Sequence, residues 1–333
     1  MSLRGAVPVL LPVVLLLAAG LLHLCAGALP MGPGTVLAAV LSYDPTNYSH
    51  VVVVLQRMTR LVVAIYAGAV LGVAGLLLQK IMQNGLVSPS TLGVNAGATA
   101  SVVLSVHFLG MTGAQLFLPA LTGGLISIGL TFFVSGLLRG YGDPRLNIVL
   151  SGMMVGTLFS SLTTFVIALD PDGFSDLIGW LIGDIGNFDY VALKAMTPVG
   201  LVALVLAALL FRAVDILALG GEQAAVLGVD VRLIFAASLL AAVVLAVSAV
   251  TVVGPIGFVG LVVPHIVRLT IGDTGLRALW GCLTGGAIIL TLADVLARTA
   301  LAPRVLNVGT VMGLAGGLIF LGLVLSRARR AAP

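Results

Sequence analysis

Asp294 and Arg298 stand four residues apart in Leu292-Ala-Asp-Val-Leu-Ala-Arg298, a stretch that is otherwise apolar. A carboxylate at bilayer depth is the group with which ion-coupled carriers relay protons. On a helix, however, it also lies one turn from the arginine, and the two can neutralise each other. Pairing is the simpler chemistry, and replacing Asp294 by Asn is then expected to cause only modest destabilisation. His265 follows Pro264 with no second ligand candidate nearby, which fits packing or gating rather than a metal. Cys25 and Cys282 lie in different apolar runs, outside any CxxC or metal-type spacing, and are assigned to packing. Asp170-Pro-Asp172-Gly opens like a calcium loop but lacks the remaining ligand positions of that pattern. The two lysines, Lys80 and Lys194, follow Gln79 and Leu193 rather than glycine, so the chain has no P-loop and does not bind ATP by that route. HExxH, GxSxG and paired aspartate-rich motifs are missing as well. No enzyme chemistry, metal site or cofactor is expected.

The elements that hold these few polar groups are apolar. Charged residues make up 8% of the 333 residues and apolar ones 60%, against about 25% and 45–50% in soluble domains. A bilayer core takes roughly 20 apolar residues per helix, so the chain reads as an all-α polytopic membrane protein. About ten crossings fit into one transmembrane domain over residues 1–333. The runs predict spans at 7–29, 56–80, 91–109, 115–138, 146–169, 191–211, 233–253, 276–298 and 307–325. A further span follows a broken segment, Gly254-Pro255-Ile-Gly257-Phe-Val-Gly260, expected at or near the outer face, where irregular backbone must be surrounded by protein or a water-filled cavity. Ala26-Gly27-Ala28 could pass for a secretory cleavage site, but the run before it is long for a signal core and more spans follow, so it reads as the first span. Met31 to His50 is then an outer loop. Gly68, Gly72 and Gly75 recur at helical spacing and give the second span a smooth face for close contact. The fifth span carries Gly152, Gly156 and a run of hydroxyls, Thr157, Ser160, Ser161, Thr163 and Thr164, unusual on a lipid-facing helix.

Threading the spans puts Arg4, Lys80, Arg139, Arg145, Arg212, Arg232, Arg268, Arg277, Arg327, Arg329 and Arg330 on the inside, and Arg57, Arg60, Lys194, Arg298 and Arg304 outside. This follows the positive-inside rule, with both termini cytoplasmic. The stretch 214–231, VDILALGGEQAAVLGVDV, carries Asp215, Glu222 and Asp230 between Arg212 and Arg232, cannot cross lipid, and falls inside. Its centre, from Gly221 to Gly228, places good helix formers between glycines and predicts a short helix along the membrane surface. Such a helix serves a partner, or the stretch is a mere connector. The outer loop 170–189 holds five aspartates and an interfacial Trp180. Arg57 and Arg60, spaced i,i+3, and Arg298 stand against the positive-inside rule. They either snorkel to lipid headgroups or form a docking ring that steers a soluble, carboxylate-bearing partner.

At this point several segments together resemble a known family over nearly the whole chain. They are Arg57-Met-Thr-Arg60-Leu with Gly68-Ala-Val-Leu-Gly-Val-Ala-Gly-Leu-Leu-Leu-Gln79, Asn84-Gly-Leu-Val-Ser-Pro-Ser-Thr-Leu-Gly93, the Gly221-Glu222 to Leu227-Gly228-Val loop, and Gly254-Pro-Ile-Gly-Phe-Val-Gly-Leu-Val-Val-Pro-His-Ile-Val-Arg268. The family is the permease subunits of bacterial ABC importers for iron chelates, haem and cobalamin. The chain departs from the family's pattern at Met58-Thr59, Gln83-Asn84-Gly85 and Val305-Leu306-Asn307. The resemblance implies type II ABC importer permease architecture with ten helices per subunit in the bacterial inner membrane. It also implies a homo- or heterodimer of permeases, cytoplasmic ATPase subunits and a periplasmic binding protein. It places ATPase coupling on Gly221, Glu222, Gln223, Leu227 and Gly228, and binding-protein docking on Arg57, Arg60 and Arg298. It makes Met153, Met154, Thr157 and Ser160 of the fifth span lining residues of the pathway. Reversing Arg57 and Arg60 to Glu is accordingly expected to weaken capture of the binding protein without unfolding the permease. The implied cargo is a ferric siderophore ahead of haem and cobalamin. An ion-coupled secondary transporter is the competing class, and the lack of midplane carboxylates counts against it.

Overall fold

A computed structural model describes residues 3–331 except 28, 139, 142 and 187–189, and the side chains of these except 3–9, 176 and 323–331. Ala28, Arg139 and Asp189, and the side chains of Arg4, Asp176, Arg327, Arg329 and Arg330, therefore lie outside the described residues. The described secondary structure is entirely helical. In chain order it comprises α1 (Leu3–Cys25), α2 (Pro33–Leu41), α3 (Tyr48–Val51), α4 (Met58–Ile81), α5 (Val94–Leu109), α6 (Phe117–Leu137), α7 (Pro144–Leu169), α8 (Ile178–Ile182), α9 (Tyr190–Leu217), α10 (Gly221–Val226), α11 (Val231–Val253), α12 (Val259–Thr270), α13 (Gly275–Thr299) and α14 (Val308–Ala331). A π-helical segment, Val52–Arg57, joins α3 to α4, so the second span begins at Tyr48 rather than at 56. Among the described residues six helical segments are long and apolar enough to cross a membrane, and the other expected spans fall on shorter apolar helices, Leu10–Cys25, Val94–Leu109, Val259–Thr270 and Val308–Gly322. The expected outer loop 31–50 is partly helical, because α2 opens on Pro33 with Val36 and Ala39 buried.

Helix α4 is the axis of the bundle. It is buried at almost every position from Val63 to Ile81 and packs against α13, α11, α12 and α9. In lipid no hydrophobic force draws helices together, so close contact depends on small side chains. A Cβ at Gly68 would overlap the Gly286 carbonyl, one at Gly72 the Cys282 carbonyl, and one at Gly75 the Gly260 carbonyl. The three glycines at helical spacing therefore set how closely α13 and α12 approach. Helices α5, α6 and α7 form a second group that joins the centre through α11. Helix α1 lies along α13, and α14 covers α12 and α13.

Sequence also explains where helices start and stop. Asp143 and Asp230 cap α7 and α11 by accepting from the backbone N–H groups of Arg145 and Leu233 at 2.8 and 3.0 Å. Between α11 and α12 the chain is non-helical from Gly254, whose φ of 76° and contact with the Trp180 carbonyl exclude a side chain, to Phe258, itself at φ 65°. Gly260 lies against Gly75, fifteen residues along α4 from Arg60, which is about 22 Å at helical rise.

Candidate functional site

Three places in the bundle hold the residues singled out by sequence. The first is a cleft along α7. A cavity of about 790 Å³ is lined by Met153, Gly156, Thr157, Ser160, Ser161 and Thr164 among others, and a neighbouring one of about 460 Å³ by Asn95, Thr99 and Thr163, with Ser90, Ala96, Ser160 and Thr164 common to both. The hydroxyl run thus faces this cleft. Met154 lines neither cavity and stands on an uncovered part of α7 with Leu150 and Leu158. Thr157, Thr163 and Thr164 donate to the carbonyls of Met153, Phe159 and Ser160 at 2.9 to 3.0 Å, which leaves their oxygens as weak acceptors along the wall. Among the described residues no charged side chain lines either cavity. The α5 side of the cleft was not legible from sequence. There the Asn95 amide donates to the Ile256 carbonyl and the Ser90 hydroxyl, both at 3.2 Å, and pins the broken segment to α5.

The second place gathers Arg57, Arg60 and Arg298. The π segment ends on Arg57, whose guanidinium is buried and donates to the carbonyls of Leu24, Cys25 and Leu29. Arg298 donates to the His23 and Ala26 carbonyls at 3.1 and 3.2 Å. These are the last carbonyls of α1 and the residues just beyond, which have no partner within the helix, and two cations there also oppose the negative end of its dipole. Asp294 is fully buried and holds three partners: Arg60 Nη2 at 2.6 Å, His23 Nε2 at 2.7 Å and Arg298 Nε at 2.9 Å. The i,i+4 pair expected from sequence is present, and Arg60 and His23 join it from α4 and α1. His23 escaped notice, although a histidine inside the apolar run Leu21-Leu-His-Leu24 is the kind of intramembrane polar residue that needs a partner. Only Arg60 keeps a surface face, with 15% of its side chain exposed and Asp184 at 3.7 Å.

The third place is the stretch 214–231. Its predicted helix is present as α10, with Gly220 at φ 133° before it and Gly228 at φ 79° after it, conformations that glycine adopts without steric cost. Ala224 is buried and seats the helix, while Gly221, Glu222, Gln223, Leu227 and Gly228 are all exposed. Val226 is 88% exposed beside Leu227. Val226 was not among the residues picked by sequence.

The family model of the FecCD transport family matches residues 15–326. The ferric enterobactin transport system permease FepD of Escherichia coli is 33% identical over 324 residues, 97% of this chain and 96% of that protein. The Fe(3+)-citrate import system permease YfmD of Bacillus subtilis is 35% identical over 267 residues, 80% of this chain and 79% of the relative. Among solved structures, an inward-facing metal-chelate type ABC transporter superposes with a TM-score of 0.77 at 23% identity, covering 96% of this chain and 98% of that one.

Proposed function

This chain belongs to the FecCD transport family, and from that premise we propose that it is the permease through which a binding-protein-dependent ABC importer passes a ferric siderophore or related iron chelate across the bacterial inner membrane. The whole chain then forms one transmembrane domain of ten crossings with both termini in the cytoplasm. A second permease, identical or related, covers the open side of α7. Cytoplasmic ATPase subunits seat on α10, and a periplasmic binding protein seats on the face that carries Arg57, Arg60 and Arg298.

The observation that carries this reading is the α7 cleft, whose wall of hydroxyls, glycines and one methionine holds no charge among the described residues. A wall of weak acceptors lets a bulky chelate slide without holding it, so affinity resides in the outer partner and release is not slowed. The reading assigns Met153, Thr157 and Ser160 to the pathway and Met154 to the face toward the second permease. The FepD and YfmD names support ferric chelates as cargo. Asp294 argues against ion coupling, because its carboxylate is engaged by two guanidiniums and an imidazole.

At the outer face, Arg57 and Arg298 serve docking indirectly by fixing the end of α1, and Arg60 meets acidic side chains of the binding protein directly. At the inner face, Glu222, Gln223 and the apolar pair Val226 and Leu227 are the contact with the ATPase. The test is Glu222→Arg in the assembled importer. Loss of binding-protein-stimulated hydrolysis and of uptake is expected, and unchanged hydrolysis and uptake would remove α10 from the coupling role.

A further inference from the structure

Helix α10 is seated lightly, and the position-fixing contacts lie just before it. Asp215 is in the last turn of α9, six residues ahead of Gly221. Its Oδ1 accepts from Lys80 Nζ at 2.6 Å and its Oδ2 from the backbone N–H of Gly275 at 2.6 Å. Gly275 is the first residue of α13, and Thr274 before it provides no side-chain cap. Asp215 therefore caps α13 from another helix, at the end where the dipole favours an anion. Lys80 lies in the last turn of α4, is buried, and has the Phe211 ring 5.5 Å from its ammonium. One turn on, the Gln83 amide donates to the Leu217 carbonyl at 3.2 Å and holds the end of α9 a second time. What is fastened here to α4 is fastened to α13 as well, because Gly68 and Gly72 lock the two together. The same pair carries Arg60 and Asp294 at its other end, twenty residues from Lys80, about 30 Å along α4.

We propose that Asp215 is a positioning residue for coupling. It ties the coupling segment to the α4–α13 pair, so that displacement of α10 by the ATPase moves that pair and changes the α7 cleft. The proposal rests on the reading of α10 as the ATPase contact and takes that reading one step inward. A merely structural role is the alternative, since a buried ion pair broken on one side leaves an unpaired charge whereas removing both partners is often neutral for stability.

The experiment uses the permease copurified with its ATPase subunits, with Cys25 and Cys282 replaced by Ser and Ala and Ser160→Cys introduced in the cleft. The readout is the rate at which a maleimide labels this thiol with and without ATP, together with thermal stability. In the parent, ATP is expected to change labelling by about fivefold or more, a typical allosteric coupling. In Asp215→Asn the ATPase subunits remain bound and hydrolyse ATP, but the labelling rate responds less than about twofold. The double variant Lys80→Met, Asp215→Asn should regain parental stability and still lack the response. Recovery of the response along with stability would reduce the pair to a structural one, and an unaltered response in Asp215→Asn would overturn the proposal outright. If instead the parent itself shows no nucleotide response, or Glu222→Arg leaves hydrolysis untouched, the reading beneath the proposal fails and the proposal falls with it.

Discussion

Asp294→Asn is the perturbation whose outcome changes most between sequence and structure. The amide keeps the shape of the carboxylate but removes the charge, and Arg60 Nη2 at 2.6 Å and Arg298 Nε at 2.9 Å lose their common counter-ion. At an effective dielectric of about 20 two unit charges 4 Å apart attract by about 4 kcal/mol. Much of that is offset by desolvation, and the measured cost of removing one partner from a buried pair is about 3–5 kcal/mol. Here two cations lose their partner: Arg298 is held away from water at the α1 carbonyls, whereas Arg60 keeps a partial surface face with Asp184 at 3.7 Å. A loss within that range is expected, not the modest loss that a lone i,i+4 pair suggests. In a thermal scan of the detergent-solubilised permease this corresponds to a drop of roughly 6–10 °C, taking about 2 °C per kcal/mol for a chain of this size. His23→Leu should fall short of this, since it removes a neutral-capable partner and leaves both guanidiniums paired. A midpoint within about 1 °C of the parent for Asp294→Asn would refute the view that this carboxylate holds α1, α4 and α13 together. A second readout separates structure from mechanism: below the lowered midpoint, uptake per ATP should stay near the parental value, which a proton relay through Asp294 would not allow.

Arg57→Glu sets a carboxylate against the carbonyls of Leu24, Cys25 and Leu29, so it should lower the yield of monodisperse protein on size exclusion. The expectation that Arg57 can be reversed without unfolding is thereby withdrawn, and a normal elution profile would show that its burial is not needed. Ser160→Leu fills the stretch common to both cavities. Uptake should fall several-fold with thermal stability within about 0.5 kcal/mol of the parent, as for a substitution away from packed core; unaltered uptake would place the pathway elsewhere.

The fold was legible where the physics is local. Runs of apolar residues mark helices because backbone groups in lipid must bond within their own segment, and α4, α7, α11 and α13 lie within a few residues of the runs that predict them. Gly68, Gly72 and Gly75 announced close contact because a missing side chain can be read from spacing alone. The hydroxyls from Thr157 to Thr164 announced the cleft because they are costly against lipid. Partners brought together by folding left no local trace. His23 and Asp294 meet across 271 positions, and Lys80 meets Asp215 across 135. From sequence Arg57 and Arg298 are expected at the surface, because an arginine at a span end ordinarily snorkels to water. The bare carbonyls at the end of α1, which draw both inward, become visible only once α1 is seen to lie along α13.

The measurement closest to the central claim is uptake of radioiron-labelled ferric chelate by proteoliposomes in which the permease is reconstituted with ABC ATPase subunits and a binding protein that copurify with it. Transport that requires ATP inside and binding protein outside, and that ignores collapse of the proton and sodium gradients, is the expected result. Transport by the permease alone, driven by an ion gradient, would contradict it.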